Sequence, residues 1–574
     1  MDEKLNKPVL VKDINPGINR EGSYAPLDSS SPKDLTQFNG KLYFSADDGK
    51  NGRELWVSDG TTQGTNLVKN IHPGNPNYQN SGYMDSSIPT HFIEFDNKLY
   101  FSARDSQNNS ELWVTDGTTQ GTKLLAEIGS NIVGNPQGSA PDYGSDPDNF
   151  TKFNGKLYFA ANDRINGDEL WVTDGTTQGT NLVIDICPII SEYRDRTKPC
   201  SSSPRNLIAM GNKLYFTADD GETGRKLWVS DGTKEGTNLV KDIDREGDRD
   251  NAGYLNPQHL TSFNNKLYFT AGDDRTGREL WVSDGTEQGT SLVKDINLEE
   301  GKGSEPDNFT EFNNKLYFSA DDGENGRELW ATDGTEQGTT LVADLYPSPD
   351  YFYSRQITNP DNLFVFNDRL YFTVGDRKNQ WEEQIEWELW ATDGTKQGTE
   401  RITNFTADLA PLRPFNPELA NFVEFDNKLY FTTNNDKIGK ELWMTDGTTK
   451  GTQLVVDFSP DPDDSKYYYA ISHSDELIVI GNQLFFTAND AETGTELYKL
   501  VAGDRDITNL GTERVQGDRY SNSYFINGKD TTLNFKTNTN FVDTTNLQYL
   551  DVTFLLLNTI FFICIRNYLP YAKK

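Results

Sequence analysis

The chain has 574 residues, and its 88 Asp and Glu outnumber 54 Lys and Arg to give a formal net charge of −34. This charge excludes a nucleic-acid backbone or an anionic membrane surface as the default partner, because either approach is repulsive. Hydrophobic residues make up 34% of the chain and aromatic residues 12%, which is too aromatic for disorder and too polar for one thick core. We therefore expect a thin core that is repeated along the chain.

The first predicted element is a strand over residues 8–14, with the sequence Val-Leu-Val-Lys-Asp-Ile at its centre. It matches a later segment, residues 239–243, that ends the fourth of the repeats described below, although no other strand of a repeat precedes it. Residues 1–7 contain no apolar h-region, so no cleavable signal peptide is visible. Export by another route, a truncated start and an intracellular protein all stay open.

A repeated phrase follows, Glu-Leu-Trp-x-x-Asp-Gly-Thr-x-x-Gly-Thr, in which Lys226 once replaces the Glu. A Leu-Tyr-Phe precedes each phrase and an apolar pair follows it. A ninth, degenerate unit contains Leu-Phe-Phe at residues 484–486 and Glu-Leu-Tyr at residues 496–498. The eight tryptophans of the phrase are Trp56, Trp113, Trp171, Trp228, Trp281, Trp330, Trp390 and Trp443.

Each unit contains four short runs separated by turn residues, and no window has the 3.6-residue period of an amphipathic helix. In the sixth unit the predicted strands A to D span residues 308–312, 315–319, 328–332 and 340–345. Asn313-Asn314 predicts a tight turn with positive φ between A and B, and Asp333-Gly334 predicts a capped turn between C and D.

Four antiparallel strands repeated about every 55 residues are typical of β-propeller blades. The sequence therefore predicts an all-β fold over residues 1–503, a single closed β-propeller of about nine blades, with eight as the alternative. The ninth unit has no clear strand D, so we expect the N-terminal strand 8–14 to complete it and remove both loose edges.

The repeated phrase resembles the ELWxxDGT repeat family of bacterial proteins, over most of residues 8–500. The blade is also similar to those of quinoprotein alcohol dehydrogenase propellers. Their tryptophan-docking pattern matches Ala218, Asp220, Thr223, Gly224, Arg225 and Trp228. The resemblance implies a propeller with tryptophans packed between blades. It does not imply the quinone cofactor, because the adjacent cysteine pair of that cofactor pocket is absent from the sequence.

The tryptophans have two interpretations, a structural one and a ligand-binding one. Their recurrence once per unit at a constant spacing on strand C favours packing between neighbouring sheets. Platforms for a carbohydrate or a cofactor are the alternative, which the constant spacing does not favour.

In such a blade the A–B and C–D turns lie on one face, and the B–C turns and D–A crossings lie on the other. The first face is nearly uniform in sequence, whereas the crossings vary in length and contain aromatic residues. Aromatic residues on variable loops suit glycan or protein recognition, and loops folded over the blade tops are the alternative. The ligand-binding candidates are Tyr346, Tyr351, Tyr353, Trp381, Trp387, Tyr467, Tyr468 and Tyr469.

Motifs for catalysis or cofactor binding are scarce. The sequence contains no phosphate-binding loop, no His-Glu-x-x-His and no Cys-x-x-Cys. His72, His91, His259 and His473 are scattered singly over different crossings, so a metal or triad constellation is not expected. Carboxylates are abundant, so a two-carboxylate reaction on sugars stays open.

Calcium is the one possible cofactor, and one acidic crossing provides the candidate ligands. Asp244, Glu246, Asp248 and Asp250 alternate oxygen-bearing side chains as a hard cation prefers, but the run lacks the Gly and terminal Glu of an EF-hand. A solvated acidic crossing is the alternative.

Two cysteines give an indication of the cellular compartment of the protein. Cys187 and Cys200 bracket one crossing and can close a small loop by a disulfide, which would suit an extracytoplasmic protein.

The tail, residues 504–574, lies outside the repeats and contains one long apolar segment, residues 552–565. Its 14 residues fall short of the ~20 that a spanning helix needs. Membrane contact is expected only if this segment inserts, with Arg566, Lys573 and Lys574 on the cytoplasmic side. A docked tail and an out-of-frame end are the alternatives.

Taken together, the sequence favours a non-enzymatic binding or scaffold propeller, at a cell surface or secreted, which recognises a glycan or a protein through its variable loops. A propeller enzyme acting on sugars is the alternative, and a purely structural repeat module is a third. A cytoplasmic location stays open.

Overall fold

A computed structural model gives the structure of the chain. It describes residues 7–16, 29–73, 86–106, 109–129, 144–193, 196–243, 255–273, 275–345, 359–376, 386–404, 419–435, 439–456, 458, 475–490, 493–503, 534–536, 541–543, 552–557 and 560–565. Every regular element within these ranges is a β-strand. The chain divides into two compact units, Lys7–Ala502 and a second one formed by Met1–Asn6 with Gly503–Lys574.

The first unit is a β-propeller of nine blades, each a four-stranded antiparallel sheet. Strands A to D of blades 1 to 3 span Lys33–Phe38, Lys41–Asp47, Arg53–Ser58 and Asn66–Lys69; Thr90–Phe95, Lys98–Arg104, Ser110–Thr115 and Lys123–Ala126; Asp148–Phe153, Lys156–Asn162, Asp168–Thr173 and Asn181–Ile184. Those of blades 4 to 6 span Arg205–Met210, Lys213–Asp219, Arg225–Ser230 and Asn238–Lys241; Gln258–Phe263, Lys266–Asp273, Gly277–Ser283 and Ser291–Lys294; Asp307–Phe312, Lys315–Asp321, Arg327–Thr332 and Thr340–Ala343. Those of blades 7 and 8 span Asp361–Phe366, Arg369–Asp376, Glu386–Thr392 and Glu400–Asn404; Leu419–Phe425, Lys428–Asn435, Gly439–Thr445 and Gln453–Val456.

Blade 9 takes its fourth strand from the other end of the chain. Its strands A to C span Asp475–Ile480, Gln483–Asp490 and Gly494–Val501, and Val9–Lys12 pairs antiparallel with the last of these. The A strands of blades 9 and 1 are neighbours, as are those of every other adjacent pair. The nine-bladed ring and its closure by the N-terminal strand, both predicted from the sequence, are thus confirmed.

The core lies between the sheets. In blade 6, Leu316, Tyr317 and Phe318 are at most 2% exposed, because strand B is covered on both of its faces. One face packs on blade 5, where Leu316 and Phe318 share a cluster with Tyr268 and Leu280. Each interface is one side chain thick and is repeated around the ring, which explains how a chain with 34% hydrophobic residues fills its core.

The turns and strand ends of blade 6 follow from local chemistry. Asn313 and Asn314 have φ of 49° and 57°, which places both in the left-handed region that the A–B turn requires. Strand D ends at Ala343, two residues before the predicted end, because the N–H of Leu345 donates to Glu328 Oε2 at 2.9 Å.

Strand A, the innermost of each blade, has a left-handed residue four positions before its end. The φ of these nine residues lies between 52° and 59°. They are Asp34, His91, Asn149, Asn206, His259, Asn308, Asn362, Asn421 and Glu476. The pairing register with strand B shifts beside each of them, as at a β-bulge. The expectation that His91 and His259 lie in crossings was therefore wrong, because both occupy this bulge.

The part of the tail that the structure describes consists of two pairs of short strands. Asn534–Lys536 pairs with Phe541–Asp543, and Val552–Leu557 pairs antiparallel with Ile560–Ile565. The described residues of the apolar segment 552–565 are thus two paired strands. A search of the described residues finds no helix with the length and apolarity to span a membrane.

Candidate functional site

The ring has two faces, which differ in what their loops do. We call the face with the A–B and C–D turns the turn face, and the face with the B–C turns and D–A crossings the crossing face. The candidate site predicted from the sequence lies on the crossing face, so the two are described in turn.

On the turn face, the Asp-Gly-Thr turn is followed in blades 1, 2, 3 and 8 by a threonine that joins the blade to the one before it. Asp59 Oδ1 accepts the N–H and the hydroxyl of Thr61 at 2.9 and 2.7 Å, which holds the turn closed and keeps the pKa of Asp59 below its ordinary value. The next residue, Thr62, donates its hydroxyl to the carbonyl of Val11 in blade 9 at 2.8 Å. The equivalent bond joins Thr119 to Val68 at 2.7 Å. The uniformity of this face therefore has a structural cause.

The tryptophans on strand C lie between neighbouring sheets. Trp330 is 7% exposed and belongs to the cluster formed with blade 5. Lys294 of blade 5 has its Nζ 5.7 Å from the ring centre of Trp330 and donates to the carbonyl of Thr339 at 2.8 Å. The same cation–π arrangement joins Lys12 to Trp56, Lys69 to Trp113 and Lys241 to Trp281.

On the crossing face, one buried glutamate holds both ends of a crossing. Glu54, from the Glu-Leu-Trp of blade 1, has no exposed surface. Its Oε2 accepts the N–H of Ile71 at 2.8 Å, where the crossing to blade 2 begins. At the end of that crossing, Ser87 donates its hydroxyl to Oε2 at 2.6 Å and its N–H to Oε1 at 3.2 Å.

This arrangement recurs around the ring. The serine hydroxyl donates at 2.5 to 2.7 Å and the N–H at the start of the crossing at 2.9 to 3.2 Å. The carboxylates and their two partners are Glu111 with Ile128 and Ser145, Glu169 with Ile186 and Ser202, Glu279 with Asn297 and Ser304, and Glu496 with Ile14 and Ser30. Crossings of different length and sequence thus start and finish on the same fixed groups.

Burial makes these glutamates weaker acids than an exposed glutamate. Desolvation raises the pKa of Glu111, Glu169, Glu279 and Glu496 to about 7, against an ordinary value of 4.5. The hydrogen bonds from serine and from backbone N–H groups favour the charged form and act in the opposite direction.

The serines that end the crossings were missed in the sequence. In blades 1 to 4 and 6 they open a Ser-x-Pro that leads into strand A, and the middle residue has φ between 41° and 50°. The serine carbonyl also accepts an N–H from strand B, as Ser202 does from Asp219 at 2.9 Å. The recurrence of Ser-x-Pro just before strand A was the signal that could have revealed them.

A cluster of two carboxylates and an arginine lies where blades 9 and 1 meet. Glu476 Oε2 accepts the N–H of Leu35 at 2.8 Å, and burial raises the pKa of Asp34. The guanidinium of Arg53 donates to the carbonyls of Ser31 and Ser45 at 2.8 and 3.2 Å.

Arg225 in blade 4 makes the same bonds, to the carbonyls of Ser203 and Thr217 at 2.8 and 3.0 Å. Arg53 and Arg225 thus hold equivalent backbone carbonyls in two blades.

Two blades depart from the glutamate pattern. In blade 4, Lys226 replaces the glutamate and its Nζ lies 3.0 Å from Asp242 Oδ1. In blade 7, Glu388 is fully buried and Oε1 accepts a bond from Arg401 Nη1 at 2.7 Å. The anchor of blade 7 therefore involves its own strand D.

The crossing from blade 3 to blade 4 is closed covalently. Cys187 and Cys200 form a disulfide, and between them Ile190–Tyr193 pairs antiparallel with Arg196–Pro199. Together with Glu169, which accepts the N–H groups of Ile186 and Ser202 at 2.9 Å, the disulfide fixes the base of this hairpin.

Most of the predicted ligand-binding residues lie outside the described residues. These are Tyr346, Tyr351, Tyr353, Trp381, Tyr467, Tyr468 and Tyr469, and so are the calcium candidates Asp244, Glu246, Asp248 and Asp250. Trp387 belongs to strand C of blade 7. The structure does describe the starts of two of the crossings concerned, where Leu345 and Phe458 donate to Glu328 and Glu441 at 2.9 and 3.4 Å. Within the described ranges, no group of three or more His, Cys, Asp or Glu is arranged to hold a metal ion.

Comparison with known proteins gives no family. No family model matches the chain, and no curated protein matches it in sequence.

Solved structures do match, at low similarity. A prolyl endopeptidase structure is 10% identical with a TM-score of 0.36, over 70% of this chain and 54% of that one. A puromycin hydrolase mutant in complex with PGG is 12% identical with a TM-score of 0.35, over 70% of this chain and 58% of that one. Prolyl oligopeptidase B from Galerina marginata is 13% identical with a TM-score of 0.36, over 70% and 54%. The chain thus spans little more than half the length of these proteins, and this level of similarity supports no conclusion about its activity.

Proposed function

We propose that the protein is a non-enzymatic binding or scaffold β-propeller of the ELWxxDGT repeat type, which recognises a glycan or a protein through the crossing face. The observation that carries the proposal is the repeated glutamate anchor. Crossings that differ in length and sequence begin and end on the same buried carboxylate, as with Glu54 and Glu169. A rigid frame that presents interchangeable loops is the arrangement that many recognition proteins use.

The hydrogen bonds of the carboxylate and arginine groups favour binding over catalysis on sugars. A glycoside-cleaving site needs a pair of carboxylates whose oxygens are available to the substrate. Glu476 accepts a backbone N–H of the neighbouring blade, and the guanidinium of Arg53 donates to backbone carbonyls. Glu476 thus serves the joint between blades 9 and 1, and Arg53 holds backbone groups of blade 1.

We further propose that the protein acts at a cell surface or after secretion. The Cys187–Cys200 disulfide supports this location, because disulfides persist in oxidising compartments. The aromatic residues of the crossings, among them Tyr353 and Tyr468, would supply contact area to the ligand.

A glycan array and a glycosidase screen on the full chain test the proposal. We expect binding without hydrolysis, and we expect binding to fall when Tyr467, Tyr468 and Tyr469 are replaced by Ala while the melting temperature stays unchanged. Replacement of Thr62, a turn-face residue, by Val is the control, and it should leave binding intact. Hydrolysis of a glycan would support the enzyme instead, and no response in the array, the screen or a protein capture assay would support a structural module.

A further inference from the structure

The fourth strand of blade 9 is held differently from the fourth strands of the other blades. In blades 1 to 8 a C–D turn joins strand C to strand D along the chain. In blade 9 strand D is Val9–Lys12, which we call the closing strand, and it pairs with Gly494–Val501 from the other end of the chain. The pairing of these two strands therefore depends on non-covalent contacts alone.

The closing strand contacts blade 1 as well as its own blade. Val11 is 2% exposed and belongs to the same apolar cluster as Phe44 of blade 1. On the turn face, the hydroxyl of Thr62 donates to the carbonyl of Val11 at 2.8 Å. On the crossing face, the N–H of Ile14 donates to Glu496 Oε2 at 3.2 Å. The closing strand is thus held by packing along its length and by hydrogen bonds at both ends.

Three carboxylates gather at the crossing-face end of this strand. Asp13 has a buried Oδ1 that accepts no hydrogen bond, and burial, followed by the charge of Asp490 from strand B, raises the pKa of Asp13. Glu496 is fully buried and accepts the hydroxyl of Ser30 at 2.5 Å. Burial, with a smaller contribution from Asp13, raises the pKa of Glu496 to about 7. The two ends of the chain therefore meet where negative charge is disfavoured.

The nearest basic side chains are bound to other groups. Lys12, next to Asp13 in the sequence, donates from Nζ to the carbonyl of Thr65 at 2.7 Å. Arg53 donates to the carbonyl of Ser31 at 2.8 Å. Among the described residues, no basic side chain lowers the pKa of Asp13.

Blade 1 provides a matched comparison. Its strand D, Asn66–Lys69, reads Asn-Leu-Val-Lys where the closing strand reads Val-Leu-Val-Lys, and Asn70 stands in the place of Asp13. Asn70 Nδ2 donates to Asn51 Oδ1 at 3.0 Å, and Asn51 Nδ2 donates to Asp48 Oδ2 at 2.7 Å. A bridge of neutral amides thus leads to a single carboxylate in blade 1, where blade 9 has two carboxylates that repel each other.

We propose that the closing strand forms a pH-dependent closure of the ring, which holds while Asp13 and Glu496 are protonated and releases as they become charged. Release lets water reach both carboxylates and returns them to their ordinary acidity. The closed ring then holds protons that the open ring has lost, so closure weakens as pH rises from about 4.5 to about 7. Release also exposes the edge of Gly494–Val501, and an unpaired edge can accept a strand from another chain.

Hydrogen exchange of the full chain at about pH 5 and about pH 8 tests this closure, with strand D of blade 1 as the internal reference. Both strands contain Leu-Val-Lys, so the intrinsic change of exchange rate with pH is nearly the same for the two. We expect the protection of Val9–Lys12 relative to Asn66–Lys69 to fall by at least about tenfold, because the raised pKa of Glu496 links closure to proton binding over this range.

Two variants and one control separate the closure from a general effect of charge. Asp13→Asn gives blade 9 the residue of blade 1, and it should make the fall in relative protection smaller. Adding Glu496→Gln should reduce the fall to less than about twofold, and this readout stays valid if the double variant closes more weakly at every pH. The control is Asp185→Asn, which removes the equivalent carboxylate of blade 3 and should leave the fall at the closing strand unchanged.

Three outcomes would overturn the proposal. One is an unchanged relative protection of the closing strand between the two pH values in the wild type. Another is a full tenfold fall in the double variant, which would show that these two carboxylates do not control closure. The third is loss of the fall in Asp185→Asn, which would assign the effect to repulsion throughout the chain. None of these outcomes bears on ligand recognition by the crossing face, so the proposed function is tested separately.

Discussion

The two faces of the ring use carboxylates in opposite ways. On the turn face, Asp59 is exposed and closes a turn of its own blade, while neighbouring threonines such as Thr62 bond to the preceding blade. On the crossing face, Glu54 is fully buried and holds the two ends of a connection that leads to the next blade.

This difference separates two tasks within one repeat. Packing between the sheets, with turn-face bonds in some units, holds blade to blade, so the residues of strands B and C recur from unit to unit. The glutamate anchor fixes only the ends of a crossing, so the residues between are free to differ. Variation in this protein is therefore concentrated where it does not disturb the ring.

The largest loss of stability is expected at Trp330, where two blades pack together. Trp330→Ala should lower the free energy of unfolding by about 3–5 kcal/mol, because it empties a buried aromatic site between blades 5 and 6. Urea unfolding followed by circular dichroism measures this loss, and Trp330→Phe should cost less. Unchanged stability combined with lost ligand binding would show instead that the tryptophan serves the ligand.

The next largest loss of stability should follow removal of the disulfide that closes one crossing. Replacing Cys187 and Cys200 together by Ser should destabilise the protein by about 3 kcal/mol, since the disulfide closes a short loop with a sequence separation of 13. Hydrogen exchange should increase in the hairpin Ile190–Pro199 and stay unchanged at the turn face. A uniform increase around the ring would contradict the separation of the two faces.

The repeat and its closure were predictable because they depend on local patterns. The period of the Glu-Leu-Trp phrase, the Asn313-Asn314 turn and the match between the N-terminal strand and strand D are all visible in a single sequence. Each reports a strand or a turn formed by residues close together in the chain.

The anchor and the bulge of strand A were not predictable in the same way. Glu54 meets Ser87 from 33 positions away across a crossing of irregular sequence, and a glutamate is usually exposed. The left-handed conformation of His91 follows from the shared backbone geometry of nine strands rather than from its own side chain. Both features depend on tertiary position, which periodicity does not report.

A matched pair of substitutions compares the two faces directly. Glu169→Gln should cost about 1–3 kcal/mol, because an amide cannot accept at both atoms the N–H groups that Glu169 holds. Asp174→Asn makes the same chemical change on the turn face, where the side chain is exposed and one oxygen keeps both bonds from Thr176.

The Asp174 variant should therefore be close to neutral. Hydrogen exchange should rise at Ile186 and Ser202 only in the Glu169 variant. Equal losses in the two variants would remove the distinction between a loop anchor and a local turn.

The smallest expected effect is a change of a few degrees in melting temperature with pH. The carboxylates of the two faces should contribute to this pH dependence with opposite signs. The pKa of Glu111 and Glu279 is raised to about 7 in the fold from an ordinary 4.5. Between these values the folded protein holds protons that the unfolded chain has lost, so stability falls as pH rises from about 4.5 to about 7.

The pKa of Asp59 and Asp116 is instead lowered below its ordinary 3.8 by bonds from Thr61 and Thr118, so their contribution is lost only as pH falls below that value. We therefore expect the melting temperature to be highest between about pH 4 and 5. Replacing Glu111 and Glu279 by Gln should reduce the fall between pH 5 and 7.5. An unchanged fall in this double variant would assign the pH dependence to general repulsion in a chain of net charge −34 rather than to the anchors.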